Sequence, residues 1–341
     1  MHLRNIYDKE TLKKKLAQEK FKRVTISFYQ YVEIQDPRGL RDELYREWTE
    51  LGVLGRIYVS FEGINAQLNV PEHNFDAFRN CVDSREEFRG VPFKVGLEQR
   101  ESFLKLTIKV KEKIVADGLS LDAYDLKIRG KHLKPEEFNR AMESPETIVV
   151  DMRNQYESRI GHFEKALTPD ADTFREELSL VKEILKGRED EKLLLYCTGG
   201  IRCEKASSYL IKQGFQDVNQ LEGGIINYGH AVKEGRIENR FRGKNFVFDE
   251  RLKEKVSDDI LADCDICGQD SDNQINCANV MCHLLFIQCQ DCAKELHGCC
   301  SKECLEVALL PEKEQRVLRK GNQHPTAKHS TKQRLRPKFA M

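Results

Sequence analysis

The chain has 341 residues, with 56 Lys+Arg against 56 Asp+Glu, 40% hydrophobic residues and 12 cysteines. At about 100–200 residues per domain, this length supplies two or three domains, each large enough to bury a core. A charged fraction of 33% and the lack of any window near the roughly 20 apolar residues of a spanning helix argue against an integral membrane protein.

Residues 1–20 are read as an N-terminal extension. Its opening, MHLRNIYDKETLKKK, has no apolar stretch of the secretory kind, so the expected compartment is the cytoplasm. From 21 to 115, strand and helix patterns alternate. FKRVTISFYQYV has strand composition, and RDELYREWTELG sets Leu44, Trp48 and Leu51 at helical spacing before Gly52. GRIYVS and INAQLNV are two strands joined through Glu62-Gly63, and FDAFRNCV is a second helix. Leu104, Leu106, Ile108 and Val110 alternate with Lys105, Thr107 and Lys109, the period of a half-buried strand. The order βαββαβ predicts a ferredoxin-like domain within an α/β protein.

Residues 116–133 lack periodicity and are expected to link domains. A second domain is predicted over 134–238. Pro135 opens a helix, TIVVDMRN is a buried strand reaching Asp151, FREELSLVKEILKG is helical, and KLLLYC is another buried strand. CEKASSYLIKQG, a helix closed by Gly214, and the strand and turn DVNQLEGG complete a pattern that predicts a parallel sheet covered on both faces. A connector over 239–261 leads to a cysteine-rich module over 262–310, too short and polar to be held by an apolar core. The tail, 311–341, carries nine Lys/Arg and two Glu, leaving the first 310 residues at −7. It is expected to be a disordered basic end, or one that contacts nucleic acid.

The densest chemistry follows KLLLYC. That strand delivers Cys197 into the loop Thr198-Gly199-Gly200-Ile201-Arg202, with a helix starting near Cys203. Backbone N–H groups over a helix N-terminus, with Arg202, favour an anion, so a thiol there ionises easily. The competing reading is a small core residue at the end of a buried strand. The spacing Cys-x4-Arg is one residue shorter than the Cys-x5-Arg of cysteine phosphatases and predicts a smaller cradle. Cys203 either resolves a disulfide or persulfide with Cys197 or is a small residue of the first helical turn. Cys81, in an amphipathic helical pattern, is expected in a core.

Nine cysteines fall between 264 and 304: Cys264, Cys267, Cys277, Cys282, Cys289, Cys292, Cys299, Cys300 and Cys304. Two Cys-x2-Cys pairs are a zinc signal, because the short turn lets both thiolates reach one tetrahedral ion. One or two structural zinc ions are expected. A cross-braced pair would place Cys264, Cys267, Cys289 and Cys292 on one ion, and Cys277, Cys282, Cys304 and one of Cys299 or Cys300 on the other, with His283 as a substitute. Disulfides and an iron–sulfur cluster are the alternatives. Lys105, Lys109, Lys111 and Lys113 form a basic strand face able to neutralise phosphates, or simply a solvated one.

Residues 134–230 resemble a rhodanese domain through PEEFN, IVVDMRNQYE, IGHFEKAL, YCTGGIRC and LEGGIINY. The resemblance implies a persulfide-carrying Cys197, a cradle of Thr198, Gly199, Gly200, Ile201 and Arg202, and supporting roles for Asp151 and Arg153. Tyr228 stands where rhodaneses often have Trp. His162-Phe163-Glu164 offers two ligands of an iron facial triad, yet it coincides with the rhodanese Gly-His-aromatic signature. Reading outward, EGIN (62–65), CTGGIRCEKAS, GKNFVFDER (243–251) and CHLLFIQC are similar to the rhodanese-related tRNA uridine hydroxylase family over nearly the whole chain. That resemblance implies tRNA as partner and formation of 5-hydroxyuridine at the wobble position, with molecular oxygen and prephenate as co-substrates. Sulfur transfer through Cys197 and a zinc-containing RNA-binding scaffold are the alternative functions.

Overall fold

A computed structural model describes residues 3–320. After the helix α1 (Lys9–Ala17), the N-terminal domain runs β1 (Arg23–Tyr31), α2 (Pro37–Glu50), β2 (Leu54–Ser60), β3 (Gly63–Pro71), α3 (Phe75–Asp83), β4 (Lys94–Val95) and β5 (Leu106–Val110). Asp36 caps α2 by accepting from the N–H groups of Arg38 and Gly39, with Pro37 in the first turn. Trp48 and Phe78, from the two helices, close over the apolar face of the sheet, where Ile57, Ile64, Ala66 and Leu68 are fully buried.

The strand order is β4-β1-β3-β2-β5. The ferredoxin-like order is present, but its fourth strand is β4, antiparallel to β1. The alternating segment around 103–110 instead adds β5 at the opposite edge, parallel to β2. Leu106 and Ile108 are buried as the alternation predicts, while Val110, at the end of an edge strand, is 38% exposed. A two-residue strand is too short to display any period, so β4 has no signature in the sequence.

The second unit contains β6 (Lys131–Leu133), α4 (Pro135–Ala141), β7 (Ile148–Asp151), α5 (Gln155–Ser158), β8 (Gly161–Phe163), α6 (Phe174–Ile184), β9 (Lys192–Tyr196), α7 (Ile201–Lys212), β10 (Asp217–Leu221) and α8 (Gly224–Lys233). Its sheet, β6-β10-β9-β7, is parallel throughout. Helices α6 and α7 cover one face and α4 and α8 the other. Strand β6 lies inside the segment expected to be a linker. The expected connector supplies β11 (Phe241–Phe246) and β12 (Lys253–Lys255), and β11 pairs antiparallel with both β8 and β12. Both segments are thus folded onto the domain.

The C-terminal module holds β13 (Gln274–Asn276), β14 (Leu285–Ile287), α9 (Gln290–Leu296), α10 (Lys302–Leu309) and α11 (Glu312–Lys320). Helix α11 takes up the start of the tail expected to be disordered; residues 321–341 lie outside the described residues. The module is seated on the second domain by Ile160, Phe246, Ala262 and Ile287, and by an Arg159–Asp265 ion pair at 2.9 Å.

Candidate active site and metal centres

Strand β9 is buried along Leu193–Tyr196 and ends under the loop that begins at Cys197. The Tyr196 hydroxyl donates to Asp151 Oδ2 at 2.7 Å, and Asp151 is paired with Arg153 through Nε at 2.8 Å and Nη2 at 2.6 Å. This fully buried triad locks the ends of β7 and β9 together beneath the loop. The loop is held from the other side by α8: the N–H groups of Ile225 and Ile226 donate to the carbonyls of Cys197 and Thr198 at 3.0 and 3.2 Å. Gly224 has φ +65, and a Cβ there would stand 2.5 Å from the Cys197 carbonyl oxygen, so only glycine permits this approach.

Cys197 is 1% exposed, and the Gly200 N–H donates to its Sγ at 3.1 Å. Burial by itself pushes the thiol up. The Cys203 S–H, the Arg202 charge and the backbone N–H groups of Arg202 and Cys203 overcome it and bring Cys197 to about 5. Burial and the neighbouring Cys197 hold the Cys203 thiol well above its ordinary range, so it remains a donor. Arg202 makes a bidentate pair with Glu157, at 2.6 and 2.9 Å, and reaches Thr198 Oγ1 at 3.3 Å. Glu157 belongs to the NQYE segment, where it is the third helical residue of a capping box begun by Asn154, and its role as partner of Arg202 has no signal in sequence spacing.

The loop opens into a cavity of about 430 Å³ between the two domains. Tyr29, Lys94 and Tyr58 line it from the N-terminal domain, Cys197 and Arg202 from the loop, and Phe248 from the connector. The Tyr29 hydroxyl donates to Glu204 at 3.0 Å, and the Lys94 ammonium lies 4.3 Å from the Tyr29 ring centroid. Burial pulls Lys94 down to about 8, against the charges of Cys197 and Glu204. Sequence reading missed Tyr29, Lys94 and Glu157, because their relevance arises only when distant segments meet.

Helix α7, which starts at the loop, also fastens the domains. Glu204 accepts from Tyr29, and pairs with Arg129 at 3.1 Å and His132 at 2.9 Å. Burial raises its carboxyl, but His132 and Arg129 hold it below its ordinary value. The fully buried Lys205 ammonium binds Glu62 at 2.9 Å and also Asp117. The EGIN and CEKAS motifs are therefore two halves of one interdomain contact.

All twelve cysteines are free thiols, and two groups of four bring their sulfurs within 4.8 Å of one another. The first is Cys264, Cys267, Cys289 and Cys292, as the spacing predicts. The second is Cys277, Cys282, Cys300 and Cys304. Cys299 is thus not a member of either group, and neither is His283, which sits at φ +48. The N–H of Cys300 donates to Cys277 Sγ at 3.4 Å, which places the Cys300 backbone at the group and leaves the adjacent Cys299 packed in the core of the module. Separations of 3.6 Å (Cys267–Cys289), 3.7 Å (Cys282–Cys300) and 3.6 Å (Cys300–Cys304) match the ~3.8 Å edge of a tetrahedron of thiolates bound at about 2.3 Å. All-thiolate donors fit zinc, and closed four-ligand sites of this kind are structural.

Of the basic residues singled out, Lys105, Lys109 and Lys111 are exposed. Lys113 is committed instead to Asp117 at 2.7 Å and the Leu119 carbonyl at 2.7 Å. His162 contacts the Ser158 carbonyl and Glu164 pairs with Arg242, so the two do not form a joint metal site.

The parallel sheet, the loop cysteine and the LEGG turn packed on it define a rhodanese-like protein with an additional domain closing over the loop. Family models agree: a UPF0176 acylphosphatase like domain matches residues 23–114, a Rhodanese-like domain matches 134–231, and a Rhodanase C-terminal segment matches 242–305. The chain is 52% identical over 339 residues to the tRNA uridine(34) hydroxylase of Leptospira interrogans (serogroup Icterohaemorrhagiae serovar Lai, strain 56601), covering 99% of this chain and 92% of that one. It is 45% identical over 324 residues to the tRNA uridine(34) hydroxylase of Photorhabdus laumondii, covering 94% and 92%. Among solved structures, the rhodanese-like domain of an Anabaena protein is similar over 34% of this chain and 80% of its own length, with 18% identity and a TM-score of 0.28. The chain belongs to the tRNA uridine(34) hydroxylase family. Among the described residues, no helix is long and apolar enough to cross a membrane.

Proposed function

We propose that this chain hydroxylates carbon 5 of the wobble uridine of tRNA, with Cys197 as the nucleophile and molecular oxygen and prephenate as co-substrates. The observation that carries this reading is a buried cysteine at a helix N-terminus, its Sγ accepting from the Gly200 N–H at 3.1 Å, that lines a cavity of about 430 Å³, within the usual size of a small-ligand pocket and large enough for a flipped base.

The Cys197 sulfur adds to carbon 6 of uracil, and the electron pair of the 5,6 double bond moves toward the 4-oxygen as an enolate. Carbon 5 is then a nucleophile and takes one atom of oxygen. The second oxygen atom leaves as water, with two electrons from the organic co-reactant. Loss of the proton from carbon 5 and departure of the thiolate from carbon 6 restore the double bond. The Gly200 N–H, the Cys203 S–H and the Arg202 charge stabilise the thiolate both as attacking and as leaving group. Asp151 and Arg153 hold the loop from beneath. Zinc in the two four-cysteine groups cross-links the C-terminal module, and Lys105, Lys109 and Lys111 neutralise tRNA phosphates.

The test is reconstitution with unmodified tRNA, prephenate and oxygen-18 gas. Labelled 5-hydroxyuridine from the native chain and none from Cys197→Ser is the expected result; labelled product from Cys197→Ser would overturn the nucleophile.

A further inference from the structure

The cavity is lined by four cations in very different states. Arg202 is bound by Glu157, and Arg251 by Asp249 and Glu254. Arg56 is exposed and donates to the Phe248 carbonyl at 3.3 Å. Lys94 is half-buried and has no carboxylate within ion-pair distance among the described residues. Its ammonium lies against the π face of Tyr29, and the charges of Cys197 and Glu204 reach it from farther off. Burying a cation without a counter-ion costs free energy unless something enters to balance it.

Position gives the cation its purpose. Lys94 comes from the N-terminal domain but packs over the rhodanese-like loop, its Cδ standing 3.9 Å from where a Cβ on Gly199 would be. Tyr29 is fixed at the same place: its hydroxyl binds Glu204 and stands 2.9 Å from where a Cβ on Gly200 would be. The ammonium is therefore held by a rigid ring beside the loop that carries the nucleophile, and on the same cavity wall.

We propose that Lys94 is a catalytic residue that donates a hydrogen bond to the 4-oxygen of the uracil ring and stabilises the enolate formed when Cys197 adds to carbon 6. This rests on the nucleophile reading above. In that step the sulfur–carbon bond forms, the 5,6 electron pair shifts to a 4,5 double bond, and the negative charge passes from sulfur to the 4-oxygen, where Lys94 meets it. No oxidant is needed. A donor aimed at charge that appears only after attack accelerates the step without tightening ground-state binding, by about 100- to 1,000-fold for a single such donor. Burial brings the ammonium down to about 8, which leaves it protonated at neutral pH while easing proton transfer to the oxygen.

The experiment uses the full chain and an anticodon stem-loop RNA carrying 5-fluorouridine at the wobble position, in which addition at carbon 6 is read as a covalent protein–RNA band. Native protein should form the adduct, and Cys197→Ser should not. Lys94→Gln should form it at least 100-fold more slowly, with RNA affinity, thermal midpoint and iodoacetamide alkylation of Cys197 within threefold of native. Lys94→Arg should recover at least tenfold. Adduct formation by Lys94→Gln at the native rate overturns the role of Lys94 and leaves Cys197 as nucleophile. A loss confined to RNA affinity, or matched by an equal loss of alkylation, also overturns it, assigning Lys94 to phosphate contact or to thiolate support. If native protein makes 5-hydroxyuridine yet gives no adduct, the nucleophile reading falls and this inference falls with it.

Discussion

Replacing Lys205 with Met tests whether the two domains are fastened through α7. The Lys205 ammonium and the Asp117 carboxylate are fully buried, and Glu62 is 16% exposed. Removing one member of a buried ion pair costs about 3–5 kcal/mol, because the partner is left charged and dry. The cost here falls toward the lower limit. Asp117 keeps Lys113 at 2.7 Å and the Leu119 N–H at 2.8 Å, while Glu62 keeps the Ile114 N–H at 2.7 Å and some access to water. A loss of about 3 kcal/mol is expected, equivalent to more than a hundredfold in the folding equilibrium. The assay is urea unfolding at neutral pH followed by Trp48 fluorescence, which reports the N-terminal domain. Adding Glu62→Gln and Asp117→Asn to Lys205→Met should recover at least half of the loss, since neither carboxylate is then left charged without Lys205, while Lys113, which loses Asp117, keeps the Leu119 carbonyl and is 20% exposed to water. A single-variant loss below about 1 kcal/mol, the size of an exposed pair, would refute the reasoning.

Cys197 should react with iodoacetamide with a midpoint near pH 5, its rate flat from pH 7 to 9. Cys203→Ala, which removes the S–H donor, should move the midpoint upward, and a native midpoint above 8 would contradict the loop electrostatics. The purified chain should bind two zinc ions, with Cys300→Ala releasing one and Cys299→Ala releasing none, measured by metal analysis after gel filtration. Gly224→Ala should lose activity and at least about 1–2 kcal/mol of stability, since a left-handed non-glycine residue alone costs that much. An unchanged melting midpoint would show that the LEGG turn does not need glycine there.

What could be read from the sequence was local. The strand–loop–helix around Cys197 announces itself because burial, glycines and the helix start lie within a dozen residues. The first four-cysteine group was likewise legible from two Cys-x2-Cys pairs, whereas choosing between Cys299 and Cys300 required the geometry by which the Cys300 N–H reaches Cys277. Leu106 and Ile108 disclosed a strand but not its edge of the sheet, because a period of two reports burial and not neighbours. Lys94 sits on a two-residue strand with no pattern, and its nearness to Cys197 depends on how two domains close. Glu157 is an ordinary helix-start glutamate in sequence and becomes the partner of Arg202 only through the path of β8 and α5. Lys113 was misjudged as a free cation, since the alternating strand face gave no notice of Asp117 four residues on.

The most direct test is nucleoside mass spectrometry of tRNA from cells lacking this gene, complemented with the native chain or with Cys197→Ser. Loss of 5-hydroxyuridine and its derivatives in the deletion, restored by the native chain and not by Cys197→Ser, is the predicted result. Unchanged 5-hydroxyuridine with loss of a thiolated nucleoside would contradict it and assign Cys197 to sulfur transfer.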